Sequence, residues 1–194
     1  MHLRLQSSLT FLFLVVLFSN SWADKYDNYK YEETKDIFRK AGESSSYFNN
    51  SYGYAVFPTI GKGGIGIGGA YGEGRVYANG KYTGDASMVQ LTIGFQLGGQ
   101  AYSQIIFFKD KRAYDEFTGS NFEFGAQASA VAITAGASAS ASTAGGTSAG
   151  ASGGKNDATT KGSYHKGMAV FTVAKGGLMY EATLGGQKFK YTPK

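Results

Sequence analysis

Between positions 64 and 74 the smallest side chains fall on every second residue: Gly64, Gly66, Gly68, Ala70, Gly72 and Gly74 alternate with Ile65, Ile67, Gly69, Tyr71, Glu73 and Arg75. A period of two is the side-chain repeat of an extended strand, so the pattern predicts a strand with one bare and one furnished face. Each strand-interior glycine costs about 0.5–1 kcal/mol relative to alanine, which close backbone approach or strong curvature has to offset. The alternation recurs over 91–98, where Leu91, Ile93, Phe95 and Leu97 face away from Thr92, Gly94, Gln96 and Gly98. It recurs again over 126–136, where Ala126, Ala128, Ala130, Ala132, Thr134 and Gly136 alternate with larger neighbours. Three strands thus share a thin face, which either packs inside a curved sheet or presents a smooth surface to a ligand or membrane.

Local signals predict the remaining elements. A modestly amphipathic helix is expected over 24–41, with Tyr26, Ile37, Phe38 and Ala41 apolar and Gly42 as its stop. Ser44 or Ser45 can cap a second short helix through Tyr52, and 54–57 reads as a strand halted by Pro58. Asn79-Gly80 is a strong hairpin signal, since both positions accept positive φ; it returns the chain through 81–84. Strands follow at 87–99 and 101–108, with Gly98-Gly99 as a turn or bulge. Asp110 caps a helix through Phe117 stopped by Gly119, with Ala113, Tyr114 and Phe117 on one face, and Phe122 begins the alanine-rich strand. Residues 137–161 hold little but Ala, Ser, Gly and Thr and read as a flexible loop. Short strands at 168–173, 177–182 and 187–191 close the chain. The order predicts an α+β fold: a curved, mostly antiparallel, barrel-like sheet of about eight Gly-rich strands with two or three short helices.

Composition changes this picture at the ends. Arg4, an apolar run from Leu9 to Phe18 and Ser21-Trp22-Ala23 match a secretory signal peptide over 1–23, too short to span a bilayer. That leaves 24–194 as a single domain, exported to the periplasm or secreted. Cysteine is absent, which excludes disulfides, thiolate metal sites and a thiol nucleophile. The formal net charge is +5, and it is uneven: residues 24–43 hold five basic and six acidic side chains, residues 155–194 seven and two. Such asymmetry favours anionic surfaces such as phospholipid headgroups, although it also suits a solvated face.

Candidate chemistry is sparse. Gly61, Gly63 and Gly66 complete a GxGxxG string, but a dinucleotide site needs a helix to open there, and the further glycines would oppose one. His165 is the only histidine beyond the leader, and Asp115, Glu116, Glu73, Asp85 and Glu123 form no evident catalytic pair. No enzyme activity, cofactor, metal site or nucleic-acid partner is expected. Lys109, Lys111 and Arg112 follow Phe107 and Phe108, an arrangement that seats peripheral proteins when rings enter the headgroup layer and cations meet phosphates.

The chain resembles the SYLF lipid-binding domain family in its bacterial exported form. The resemblance rests on Ala55-Val56-Phe57-Pro58, then Gly61-Lys62-Gly63-Gly64 and the alternating glycines, the stretches 90–100, 105–112 and 124–130, and the closing Lys175-Gly176-Gly177-Leu178 to Leu184-Gly185-Gly186. It implies binding, not catalysis: eukaryotic members are associated with phosphoinositide-containing membranes and fungal ones with actin. In eukaryotic relatives the membrane contact is attributed to an N-terminal amphipathic segment, whereas 24–41 here is near neutral. An exported protein would meet neither actin nor phosphoinositides, so the class carried over is anionic lipid. The expected lipid-binding residues are Lys62, Lys109, Lys111, Arg112, Lys166 and Lys175, docked peripherally on anionic phospholipid, with Gly64, Gly66, Gly68, Gly72 and Gly74 structural. The rival expectation is a small integral outer-membrane β-barrel.

Overall fold

The computed structural model describes residues 27–94, 100–119, 121–125, 128, 130–133, 163–175 and 184–194. The expected leader, the Gly98-Gly99 turn, the loop at 137–161 and the strand at 177–182 lie outside them. Helix α1 spans 27–40, followed by single turns α2 (Gly42–Ser45) and α3 (Tyr47–Asn50). Strands β1 (Gly53–Ala78), β2 (Lys81–Gly94) and β3 (Gln100–Phe108) precede α4 (Lys111–Thr118). Then come β4 (Phe122–Glu123), β5 (Val131–Ile133), β6 (Met168–Lys175) and β7 (Gln187–Pro193). The fold is α+β, a curled half-barrel of seven strands in the order β4-β7-β2-β1-β3-β6-β5, antiparallel except where β5 meets β6.

Strand β1 organises everything else. Its first half pairs with β3, from Gly53 opposite Phe108 to Lys62 opposite Gln100, and its second half pairs with β2, from Gly66 opposite Gly94 to Ala78 opposite Lys81. Between them the strand doubles back. Asn79 N donates to Tyr52 O at 2.9 Å and the Tyr54 and Tyr77 rings stack at 5.0 Å, so the two ends of one strand meet. Gly64, near the bend, takes φ 147°, a value that glycine reaches readily and other residues rarely do.

The bare face is packed inside, by the same strand. A methyl group on Gly72 would sit 2.6 Å from Ile60 Cγ1 and 3.0 Å from Thr59 O; one on Gly74 would sit 2.6 Å from the Phe57 ring and 2.8 Å from Val56 O. The large inward residues of the first half occupy the volume that the second half vacates. Gly68 and Ala70 are buried in the same row, while Gly66 holds its register opposite Gly94. The alternative reading of this face, a surface offered to a ligand, is therefore overturned at Gly72 and Gly74.

Two walls result. The covered wall comprises the first half of β1 with β3, β6 and β5; the open wall comprises the second half of β1 with β2, β7 and β4. The core between them holds Phe57, Ile60, Met88, Ile106, Phe108, Val170 and Phe189, and α4 seals one end by placing Phe117 5.0 Å from Phe108 and 5.1 Å from Phe189. Helices α1 to α3 blanket the outside of the covered wall, and α1 extends across the seam onto Arg75 and Tyr77 of the open wall. Phe38 is fully buried, and Tyr47 and Phe48 pack on Phe107 at 5.4 and 5.0 Å.

Several sequence expectations need correction. Pro58 does not halt a strand: the register moves from Phe57 opposite Gln104 to Ile60 opposite Tyr102, a bulge that leaves the proline nitrogen without a ladder partner to miss, while Ser103 Oγ donates to Pro58 O at 2.7 Å. Neither Ser44 nor Ser45 caps a helix; Ser44 is buried and its hydroxyl donates to Phe38 O at 2.6 Å, closing α1, and Gly42 opens α2 rather than ending its predecessor. Residues 81–84 and 87–94 form one unbroken strand. Phe122 begins only a two-residue strand, because Ala128 N turns back to Gly125 O, and the alanine-rich alternation is a described strand at Val131–Ile133 alone. The α+β curved-sheet expectation stands: the described residues supply seven strands, and the expected strand at 177–182 lies outside them. The Asn79-Gly80 turn and the Asp110 cap stand: Asn79 and Gly80 take φ 49° and 76°, and Asp110 accepts from Ala113 N at 2.9 Å.

Candidate functional site

The six expected lipid-binding residues form two groups, not one. Lys109, Lys111, Arg112 and Lys166 gather at the α4 end, where Lys109 N donates to Gly167 O at 2.9 Å and Arg112 reaches Lys166 O at 3.5 Å. Lys166 takes φ 51° in a tight turn closed by reciprocal bonds between His165 and Met168, which leaves His165 an exposed turn residue. Lys62 and Lys175 lie at the other end, beside the β1 bend. There Lys62 opposes Gln100 and Lys175 opposes Ala101 on the far side of β3. The nine residues of β3 separate the groups, about 27 Å at the usual strand rise.

Charge is handled differently at the two ends. Lys111 is held 2.6 Å from Asp115, whose hydrogen bond raises the lysine pKa, and Arg112 lies 3.3 Å from Glu116 and 4.0 Å from Asp110. The Lys111–Asp115 and Arg112–Glu116 contacts are exposed i,i+4 helix pairs; all three contribute little to stability but cancel much of the local positive field. At the bend end Lys175 Nζ donates to the Thr59 hydroxyl at 2.9 Å, and neither it nor Lys62 meets a carboxylate among the described residues. The expectation that Phe107 and Phe108 enter a headgroup layer is overturned. Both are fully buried, Phe107 beneath α3 and Phe108 beneath α4.

The open wall shows what the residue types alone did not. Its outer face exposes Leu91 (84%), Tyr71 (53%) and Val89 (49%), because Met88 and Gln90 take the inward positions of β2. Tyr71 stands directly opposite Val89, Leu91 opposite the side-chain-free Gly69, and Lys188 opposite Val89 on β7. Tyr71 Oη donates to Glu73 at 2.9 Å, which raises its pKa, and Lys188 lies 3.6 Å from Glu123. Leu91, which opens the 91–98 alternation, was visible in the sequence as apolar; which way it turned was not.

Helix α1 docks through an i, i+3, i+4, i+7 stripe of Tyr31, Thr34, Lys35 and Phe38. Lys35, 6% exposed at its side chain, lies 2.6 Å from Glu32 and 4.7 Å over the Tyr77 ring. Arg75 stacks 4.3 Å from the Tyr31 ring and 5.5 Å from Tyr82 and bonds Asn28. Cation–π contacts thus replace part of the apolar seam, and a lysine in the stripe accounts for the weak amphipathicity of the sequence.

Inside the half-barrel the polar groups are neutral. Gln104 Nε2 donates to Gln187 Oε1 at 3.0 Å, and Gln187 Nε2 donates to Tyr102 Oη at 3.2 Å, tying the two walls together. Burial pushes the Tyr102 pKa up to about 12. Thr172 Oγ1, also buried, has no hydrogen-bond partner among the described residues. The buried polar residues described include no carboxylate and no histidine, so this cluster offers neither a general base nor an activated nucleophile. Among the described residues no group of His, Asp and Glu could hold a metal ion, and no helix is long and apolar enough to cross a membrane.

The family model described as "Ysc84: Las17-binding protein actin regulator" aligns with residues 89–191, from the middle of β2 into β7. No curated protein matches the chain.

Proposed function

This chain belongs to the Ysc84/SYLF family, a family of non-catalytic binding domains linked to lipid and actin binding, and we propose that it is an exported, non-enzymatic module that docks peripherally on anionic phospholipid. The family match carries the reading. It is supported by the basic excess of the last forty residues and by Lys62, Lys109, Lys166 and Lys175, none of which meets a carboxylate among the described residues. Contact of this kind is electrostatic at long range and screened within about 8–10 Å at physiological salt. The leader-like segment 1–23 supports export, and an exported protein would meet neither actin nor phosphoinositides, which leaves anionic headgroups as the ligand class.

Vesicle co-sedimentation tests it. Binding is expected to vesicles containing phosphatidylglycerol, to weaken as salt rises, and to be absent on pure phosphatidylcholine. Equal binding to both vesicle types at low salt would sink the reading.

A further inference from the structure

The lipid-docking reading leaves open which surface makes contact, and the six expected cations cannot all do so, since they occupy opposite ends of β3. Resting on that reading, we infer that the protein meets the anionic lipid surface with the open wall at the bend end: Tyr71, Val89 and Leu91 enter the headgroup layer, and Lys62, Lys175 and Lys188 meet phosphates around them.

Three observations converge. First, the most exposed large apolar side chains of the described sheet are neighbours. Tyr71 and Val89 are cross-strand partners, and Leu91 stands over Gly69, which has no side chain to shield it. Contiguous exposed apolar surface is unusual in soluble proteins and marks a contact site. Second, its chemistry suits an interface rather than a protein core. A tyrosine with its hydroxyl at the polar edge, two aliphatic side chains and flanking lysines are the residues that seat at the headgroup boundary. Third, the charge fits. Lys62, in the last β1–β3 pair, and Lys175, the last residue of β6, lie at this end without carboxylate partners among the described residues, and Lys188, next to Val89, shares one exposed carboxylate there. Among the described residues the α4 end exposes no large apolar side chain; Phe108 and Phe117 are buried and two of its four cations are paired.

The test uses the full chain and vesicles of phosphatidylglycerol in phosphatidylcholine. Leu91→Gln with Val89→Thr should weaken binding about tenfold or more, the loss expected when an aliphatic side chain no longer leaves water. Lys62→Gln with Lys175→Gln should weaken it severalfold and flatten its salt dependence, whereas Lys111→Gln with Arg112→Gln should leave it unchanged. Tyr71→Trp adds a readout independent of affinity: its emission should shift to the blue on these vesicles relative to the parent chain. Wild-type affinity in the Leu91 variant, loss confined to the Lys111 variant, or no emission shift would overturn the assignment while leaving lipid docking intact. Failure of the parent chain to bind would instead overturn the reading beneath it. A dimer in sedimentation velocity that the Leu91 variant abolishes, with vesicle binding preserved, would give the patch to a second copy of the chain and also overturn the assignment.

Discussion

The two walls of the half-barrel are made from one strand and its neighbours, yet they read as opposites. In β6, on the covered wall, Met168 through Val173 are buried without a break, because the core lies on one side and the helical layer on the other. In β7, on the open wall, Gln187 and Phe189 are buried while Lys188 and Lys190 are exposed. Continuous burial marks a strand covered on both faces, and alternation marks one covered on a single face. The same contrast runs through β1. Its first half points Phe57 and Ile60 inward; its second half points Gly72 and Gly74 at them. The lesson is that bulk is conserved across the pair of walls, not within either.

The most severe break should come from restoring bulk to the thin half. Gly74→Val would drive side-chain atoms into the Phe57 ring and Val56 O, and a loss of about 3 kcal/mol or more is expected in urea unfolding. Pairing Gly74→Ala with Phe57→Leu should cost less than the sum of the two single changes, the mark of a shared volume.

Alkaline pH should loosen the covered wall next. Burial pushes Tyr31, Tyr54 and Tyr102 up to about 12, against about 10 in an unfolded chain. The folded protein therefore holds these phenolic protons more tightly. Their stabilising contribution is complete below pH 10 and is lost as pH rises from there through about 12. Tyrosinate absorbance should rise together with loss of far-UV dichroism; ionisation of these rings with the fold intact would contradict the burial described.

A smaller change should run the other way. Thr172→Val removes a buried hydroxyl that has no partner among the described residues, keeps the branched shape, and is expected to stabilise the protein by about 1 kcal/mol in thermal unfolding. Smallest of all is Gly63→Ala, where a methyl group meets nothing within 4 Å; the midpoint should move by no more than about 0.5 kcal/mol, so that a loss as large as at Gly74 would show crowding around the bend as well.

What the sequence disclosed follows the range of the forces involved. The Asn79-Gly80 turn, the Asp110 cap and the glycine alternation are local, and each was legible because a few adjacent residues decide it. Pro58 was misread because its bulge is fixed from β3, forty-odd residues downstream, where Ser103 waits for its carbonyl. Phe107 and Phe108 looked available beside basic residues, but the rings that cover them come from Phe48 and Phe117. Ser51 and Tyr164, bonded at 2.7 Å across 113 positions, illustrate a contact that no window of sequence contains. The candidate site suffered most for the same reason: which cations stand together depends on register along β3, and which face of Leu91 meets water depends on which wall received the helices.

The reversal of β1 constrains how the molecule can move. Because one unbroken backbone passes from one wall to the other, the walls are seamed along that side and have no linker about which to swing. Among the described residues the Gln104–Gln187 clasp and the α4 plug stand in the way of a guest, so the economical way for this architecture to engage a partner is to offer its rind and keep its kernel shut.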